Sequence, residues 1–201
     1  MTLTNRIASL IAFLALSCLV GTAAKAMTFT LIPAAGACVP HPCILADGDI
    51  DERSVGAFSA FTRQAHLGPG ALVVLNSPGG NVLQSLMLGK AIRQQGFSTT
   101  VQGGGACASA CAFVFLGGVE RSAGPSARIG VHQISNPASA LGDLSAADGE
   151  WLVSLVAVYV KDMGGDLSVL IPALRTAPCD MHWLSPSELS RYAVVTKVAA
   201  D

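Results

Sequence analysis

The chain is 201 residues long and 51% apolar, with only 12% charged side chains and a formal net charge of -1. That length holds one domain, or at most two small ones. The near-neutral balance excludes a nucleic-acid groove or a polybasic membrane patch, and the high apolar fraction excludes a disordered interaction tail. With 21 Gly and many other small residues, the composition fits a well-buried α/β core rather than a helical bundle.

Residues 1–26 begin with a basic Arg6, run apolar from Ile7 to Val20 and close on Ala24-Lys25-Ala26. This is the pattern of a secretory signal, with cleavage expected after Ala26. A retained membrane anchor is the alternative, but an apolar run of 14 residues is short for a span. A lipoprotein site at Cys18 would need leucine three residues earlier, where Ala15 stands. Residues 27–201 are then the mature, periplasmic or secreted domain, with 10 Lys+Arg against 13 Asp+Glu and a net charge of -3.

Export changes the meaning of the cysteines. Cys38, Cys43, Cys107, Cys111 and Cys179 stay in the mature chain, and an oxidising compartment favours disulfides. Five is odd, so two bridges and one free thiol is the simplest count. Cys38 and Cys43 flank Val39-Pro40-His41-Pro42 and could staple a tight loop. Cys107 and Cys111, placed on one helix, would hold their Cβ atoms about 5–6 Å apart, whereas a disulfide needs about 3.5–4.5 Å. One of them is therefore expected to pair with Cys179. No cysteine or histidine spacing matches a common zinc pattern, and no metal is expected.

In chain order, 43–50 reads as a strand entering a turn. Residues 51–66 follow as a helix, with Val55, Phe58, Phe61 and Ala65 near helical spacing and Gly68-Pro69-Gly70 closing it. The wholly apolar 71–76 is a strand covered on both faces, and Ser77-Pro78-Gly79-Gly80 is a turn. Residues 81–95 read as a helix closed by Gly96, 97–102 as a strand, and 107–116 as a buried apolar helix. A strand at 127–133, a flexible loop at 135–143 and a helix at 144–163 follow. A short helix from Leu184 and a last strand at 193–198 complete one α/β domain with mainly parallel strands.

Three places could carry chemistry. Ser77-Pro78-Gly79-Gly80 lies between a strand and a helix, where two glycines expose backbone N–H groups to an incoming oxygen; Pro-Gly-Gly is also an ordinary turn. In Gly103-Gly104-Gly105-Ala106-Cys107-Ala108-Ser109-Ala110-Cys111 a glycine run feeds the buried helix, with Ser109 its one hydroxyl. A serine in that first turn would feel the positive end of the helix dipole, or it serves only close packing. Ile129-Gly130-Val131-His132-Gln133 puts a histidine at a strand end, where open α/β sheets place ligands; a histidine satisfied by a carbonyl is the plainer alternative.

Together these segments resemble the Clp protease proteolytic subunit and the wider crotonase-like superfamily. The resemblance rests on Leu75-Asn76-Ser77-Pro78-Gly79-Gly80, Ala108-Ser109-Ala110, Ile129-Gly130-Val131-His132-Gln133 and Trp183-Leu184-Ser185-Pro186-Ser187-Glu188-Leu189, in the family's order, over about 48–198. The signal segment and the cysteines around Ser109 look more like the exported bacterial relatives than the cytosolic subunit. The resemblance implies a ClpP/crotonase-like spiral of ββα units and a serine peptidase-like activity on peptide or ester bonds. It makes Ser109 the nucleophile, His132 its general base, and Gly80 and Ala110 the oxyanion-hole amides. The family's aspartate falls on Met181, so Asp180, one residue earlier, is the expected third member, with Asp162 and Asp166 as fallbacks. Lys90, Lys161 and Lys197 do not match a Ser–Lys pattern. No cofactor is implied; neither CoA nor an ATPase partner is expected outside the cytoplasm, and homo-oligomerisation is left open. A non-catalytic binding protein on the same fold is the competing reading.

Overall fold

A computed structural model of the chain describes residues 25–32, 43–135 and 146–197. The expected signal up to residue 24, Cys38 and most of the loop expected at 135–143 lie outside these described residues. Two sheets form the frame. In the larger, β1 (Thr28–Ile32) runs antiparallel to β2 (Cys43–Asp47), and β3 (Leu72–Asn76), β4 (Ser98–Val101) and β6 (Arg121–Ala123) continue parallel to β2. In the smaller, β5 (Ala106–Ala108) pairs parallel with β7 (Arg128–Val131), and β8 (His182–Trp183) is antiparallel to β7. Mainly parallel pairing within one α/β domain is what the sequence pattern predicts.

Val73, Val74 and Leu75 of β3 are all buried, because elements cover the sheet on both faces. The helices α1 (Ser54–Gln64) and α2 (Val82–Gln94) follow β2 and β3. Asn81 starts α2 by accepting the Gln84 N–H at 3.1 Å. All six residues of α3 (Cys111–Leu116) are buried. It packs on α2 where Gly89 leaves room for the Tyr159 hydroxyl, which donates to the Phe113 carbonyl at 2.7 Å. Tyr159 itself sits on α4 (Ala146–Asp162), which is followed by a 3-10 turn (Leu167–Val169), α5 (Leu170–Arg175) and α6 (Pro186–Arg191). A capping box between Ser185 and Glu188, with Pro186 behind Ser185, fixes the start of α6.

The structure corrects several expectations. The helix expected at 107–116 is divided, because Ala106–Ala108 are taken into a strand between β3 and β7, leaving only Cys111–Leu116 helical. No strand forms over 193–197, since the Thr196 and Lys197 amides both converge on one carbonyl, that of Arg121. β1 and β6 went unanticipated: β1 is half-exposed along its length and β6 has only three residues. No helix among the described residues is long and apolar enough to cross a membrane.

Arg121 is 2% exposed and, among the described residues, has no carboxylate partner. Its guanidinium donates to the carbonyls of Val194 (2.8 Å), Ala193 (2.9 Å), Met163 (3.0 Å) and Gly118 (3.3 Å). Burial, with Arg93 nearby, pulls its pKa down to about 10, so it remains charged at neutral pH. Carbonyls satisfy it because each presents a partial negative charge that this cation would otherwise lack. Arg121→Ala would leave the Val194, Ala193 and Gly118 carbonyls without this donor, Met163 keeping the one from Arg93, and should cost about 3 kcal/mol or more in urea-unfolding free energy. A loss below about 1 kcal/mol would show that water replaces the guanidinium freely.

Candidate active site

The site begins where the two sheets touch. Past the end of β3, the Ser77 N–H donates to the Ala106 carbonyl and the Ser77 carbonyl accepts from Ala108 N–H, both at 2.9 Å. The Ser77 hydroxyl, almost fully buried, turns the chain by accepting Gly79 N–H at 3.1 Å. Gly79 (φ +106°) then lies so close to the next strand that a Cβ would come within 2.7 Å of the Ala108 carbonyl oxygen and 2.9 Å of Ser109 Cβ. Gly80 (φ +134°) is pressed as closely on the Ile50 carbonyl. Only glycine meets both demands, a left-handed backbone and no side chain. Ile50 holds the turn, donating its N–H to the Gly79 carbonyl at 2.7 Å and accepting Asn81 N–H at 2.8 Å.

Ser109 stands between β5 and α3 with φ +55°, a left-handed conformation in a residue with a Cβ. Such a conformation costs about 1–3 kcal/mol and persists only where surroundings impose it. The Ser109 amide is tied to the Gly130 carbonyl at 2.8 Å, and its carbonyl accepts Ala112 N–H at 3.0 Å. Ser109 thus precedes the helix rather than sitting in its first turn, and α3 is too short for the helix-dipole argument of the sequence to apply. Among the described residues, no group accepts the Gly80 or the Ala110 amide, although Ala110 is fully buried.

His132 follows β7. It lines one cleft of about 160 Å³ together with Ser109 and Gly80, against an apolar wall that includes Val82, Phe113 and Ala173. Two bonds from the next residue anchor the segment, Gln133 N–H to the Thr176 carbonyl (2.9 Å) and Gln133 Nε2 to the Leu174 carbonyl (2.7 Å). Burial lowers the His132 pKa below its ordinary value; the Pro178 carbonyl near the ring opposes this more weakly. That carbonyl makes no hydrogen bond of regular geometry to Nδ1, which is buried and has no partner among the described residues.

The structure brings Ser109, His132, Gly80 and Ala110 to one place and leaves the expected carboxylate out. Asp180 is exposed, and its Oδ1 accepts the N–H of its own neighbour Met181 at 2.8 Å. The Asp180 amide closes a turn onto the Ala177 carbonyl, and among the described residues no hydrogen bond joins its carboxylate to His132. Asp162 is exposed at the end of α4, and Asp166 caps the 3-10 turn by accepting Ser168 N–H. His182 has a carboxylate: its Nε2 lies 3.0 Å from Glu188 Oε1. The Ser185 amide and hydroxyl hold Glu188 down to about 2, with His182 contributing less. No sequence signal pointed to the Pro178 carbonyl, because a backbone atom leaves no trace in residue type.

The cysteine pairing is also corrected. Cys107 and Cys111 are joined to each other, their Cα atoms 5.1 Å apart, so neither pairs with Cys179. The helical distance argument fails because Cys107 is in a strand, and the turn at Ser109 folds the two residues together. Cys43 and Cys179 are each disulfide-bonded as well, and no cysteine among the described residues is free; the fifth mature cysteine, Cys38, lies outside them. No metal-binding cluster occurs among the described residues.

A family model described as Clp protease matches residues 69–150, a span that contains Gly80, Ser109, Ala110 and His132 but stops short of Asp180. Among solved structures, the chain is similar to a membrane-bound stomatin-specific protease, 1510-N, in a mutant form; the TM-score is 0.61 and the identity 17%, over 78% of each chain. No curated protein sequence matches. The fold is ClpP/crotonase-like, as expected from the motifs. Because burial favours the neutral imidazole, an NMR titration should place the midpoint of His132 below 6.5; a value above 6.5 would mean that a carboxylate reaches the ring in solution.

Proposed function

We propose that the protein is an exported serine peptidase-like hydrolase acting on peptide or ester bonds. The observation that carries this reading is the strained serine: Ser109, left-handed between β5 and α3, shares a cleft with His132 and Gly80, and among the described residues the Gly80 and Ala110 amides have no acceptor. A serine hydroxyl is a weak nucleophile until a neighbouring base takes its proton. Here His132 Nε2 is the base, since Nδ1 is buried. Ser109 Oγ attacks the substrate carbonyl carbon, its proton passes to Nε2, and the oxygen that becomes negative is received by the N–H groups of Gly80 and Ala110. One such donor is worth about 2.7–4 kcal/mol. The imidazolium then protonates the leaving amine or alcohol, and water, deprotonated by His132, hydrolyses the acyl-enzyme. The apolar wall of Val82, Phe113 and Ala173 suits a small or medium apolar side chain beside the scissile bond.

The bonded cysteines support an oxidising compartment, in keeping with the secretory pattern of residues 1–26. In such a compartment neither CoA nor an ATPase partner is required. In the proposed centre Asp180 takes no part, and the Pro178 carbonyl is the group nearest to orienting the ring. The lone Nδ1 favours a second reading, a protein that keeps the fold and binds peptides without cleaving them.

Intact-mass labelling with a fluorophosphonate separates the two readings. The hydrolase predicts a single adduct that is absent from Ser109→Ala and formed at least about a thousandfold more slowly by His132→Ala. Asp180→Asn should change the rate by no more than about threefold, against the ~10⁴-fold lost when a complete triad loses its acid. No adduct on the unsubstituted protein at any pH would select the binding protein.

The pH profile follows from the direction of the His132 shift. Neutral imidazole is the reactive form, so labelling should rise with pH through a midpoint below 6.5 and be flat above it. Stability shifts with the same sign. The unfolded chain binds the proton more tightly, so His132 withdraws stability as pH falls from 6.5 through its lower folded value. In His132→Gln this part of the acid sensitivity should disappear from unfolding curves measured across that window.

A further inference from the structure

The cleft explains what Ser109 could do, but downstream of it hydrogen bonds hold its conformation only through the Ala112 N–H on its own carbonyl. On the upstream side β5 is fixed at both edges, by Ser77 and by β7. On the downstream side stands α3, six residues long, with no side-chain cap at Ala110 and no acid in its first turn. A helix of that length has little cooperativity of its own to define where it starts. The one covalent tie across this arc runs from Cys107, in β5, to Cys111, the first residue of α3, with Ser109 midway between them.

We propose that the Cys107–Cys111 disulfide is the positioning element of the nucleophile, a clamp that holds Ser109 left-handed and fixes the start of α3 while leaving the Ala110 amide unspent. The claim rests on Ser109 being the nucleophile. The protein shows what the alternative would be. At α6 the helix start is fixed by a capping box, in which the Ser185 N–H donates to Glu188 Oε2 at 2.9 Å. The equivalent amide at α3 is that of Ala110, so a capping box there would consume the donor that the tetrahedral intermediate needs. A covalent bond fixes the same geometry and uses no N–H. The clamp is also permanent in the folded protein. Both cysteines are 0% exposed, so a reductant in solution does not reach them without local opening, and the bridge acts as a fixture rather than a switch.

The test compares the full mature protein with Cys107→Ala/Cys111→Ala and with Cys43→Ala, which breaks a disulfide elsewhere. Fluorophosphonate labelling is followed as a function of reagent concentration and pH. In the double variant the maximal labelling rate should fall about 10–100-fold, as for a reacting atom displaced by about 1 Å. The reagent concentration giving half that rate and the pH midpoint of His132 should stay unchanged. Cys43→Ala should label as the parent does. Should the double variant not fold, the parent is partly reduced with a phosphine and alkylated. Molecules with an open Cys107–Cys111 bridge, recognised by mass, should then label more slowly than bridged molecules in the same tube. Equal maximal rates with and without the bridge would overturn the clamp while leaving the hydrolase intact. A parent protein that takes no adduct at all removes the hydrolase reading and the clamp with it.

Discussion

Two hydrogen bonds between Ser77 and strand β5 set the geometry on which the rest of the site depends. They join the larger sheet to the smaller one and bring two backbones so close that residue 79 has no space for a side chain. The glycines that follow from this crowding bring Gly80 to the lining of the cleft, with no acceptor for its amide among the described residues. The strand that is gripped carries Ser109 at its end, and its partner β7 delivers His132 at the same level. Ser109, His132 and Gly80, from three separate stretches of chain, thus share one origin, the seam between sheets.

The fold was legible in the sequence where periodicity and punctuation agree. Leu72–Asn76 reads as a buried strand because every residue but the last is apolar, and α2 because Asn81 and Gly96 bracket a helical period. The region around Ser109 was misread for a physical reason. Ala, Cys and Ser have no strong preference between strand and helix, and tertiary pairing with Ser77 and Gly130 decided the matter. The same error carried over to the cysteines, since a distance rule for one helix was applied across a strand and a turn. Ser109, His132 and the two glycines were recognisable only as a set. The orientation of Asp180 was not legible at all, because it follows from the turn closed between Asp180 and Ala177.

His132 and His182 show how little residue type says about role. Both lie beside the β7–β8 pair, and the residue after β7, not the one in β8, lines the cleft. His182 has the carboxylate that a triad would call for, yet that carboxylate is engaged in capping α6. His132 has burial and a carbonyl instead. Burial keeps its imidazole neutral and so ready to accept a proton, whereas a carboxylate would hold the imidazolium once formed. A centre built this way trades stabilisation of the charged intermediate for availability of the base at mildly acidic pH.

The guanidinium of Arg121 bears on when the domain can be completed. Its acceptors at Ala193 and Val194 lie 72 and 73 residues further along the chain. Until those residues have left the ribosome, closing the core would trap a cation with only part of its shell. β6 can therefore be fully satisfied in the core only once residues 193 and 194 have been made and folded back onto it.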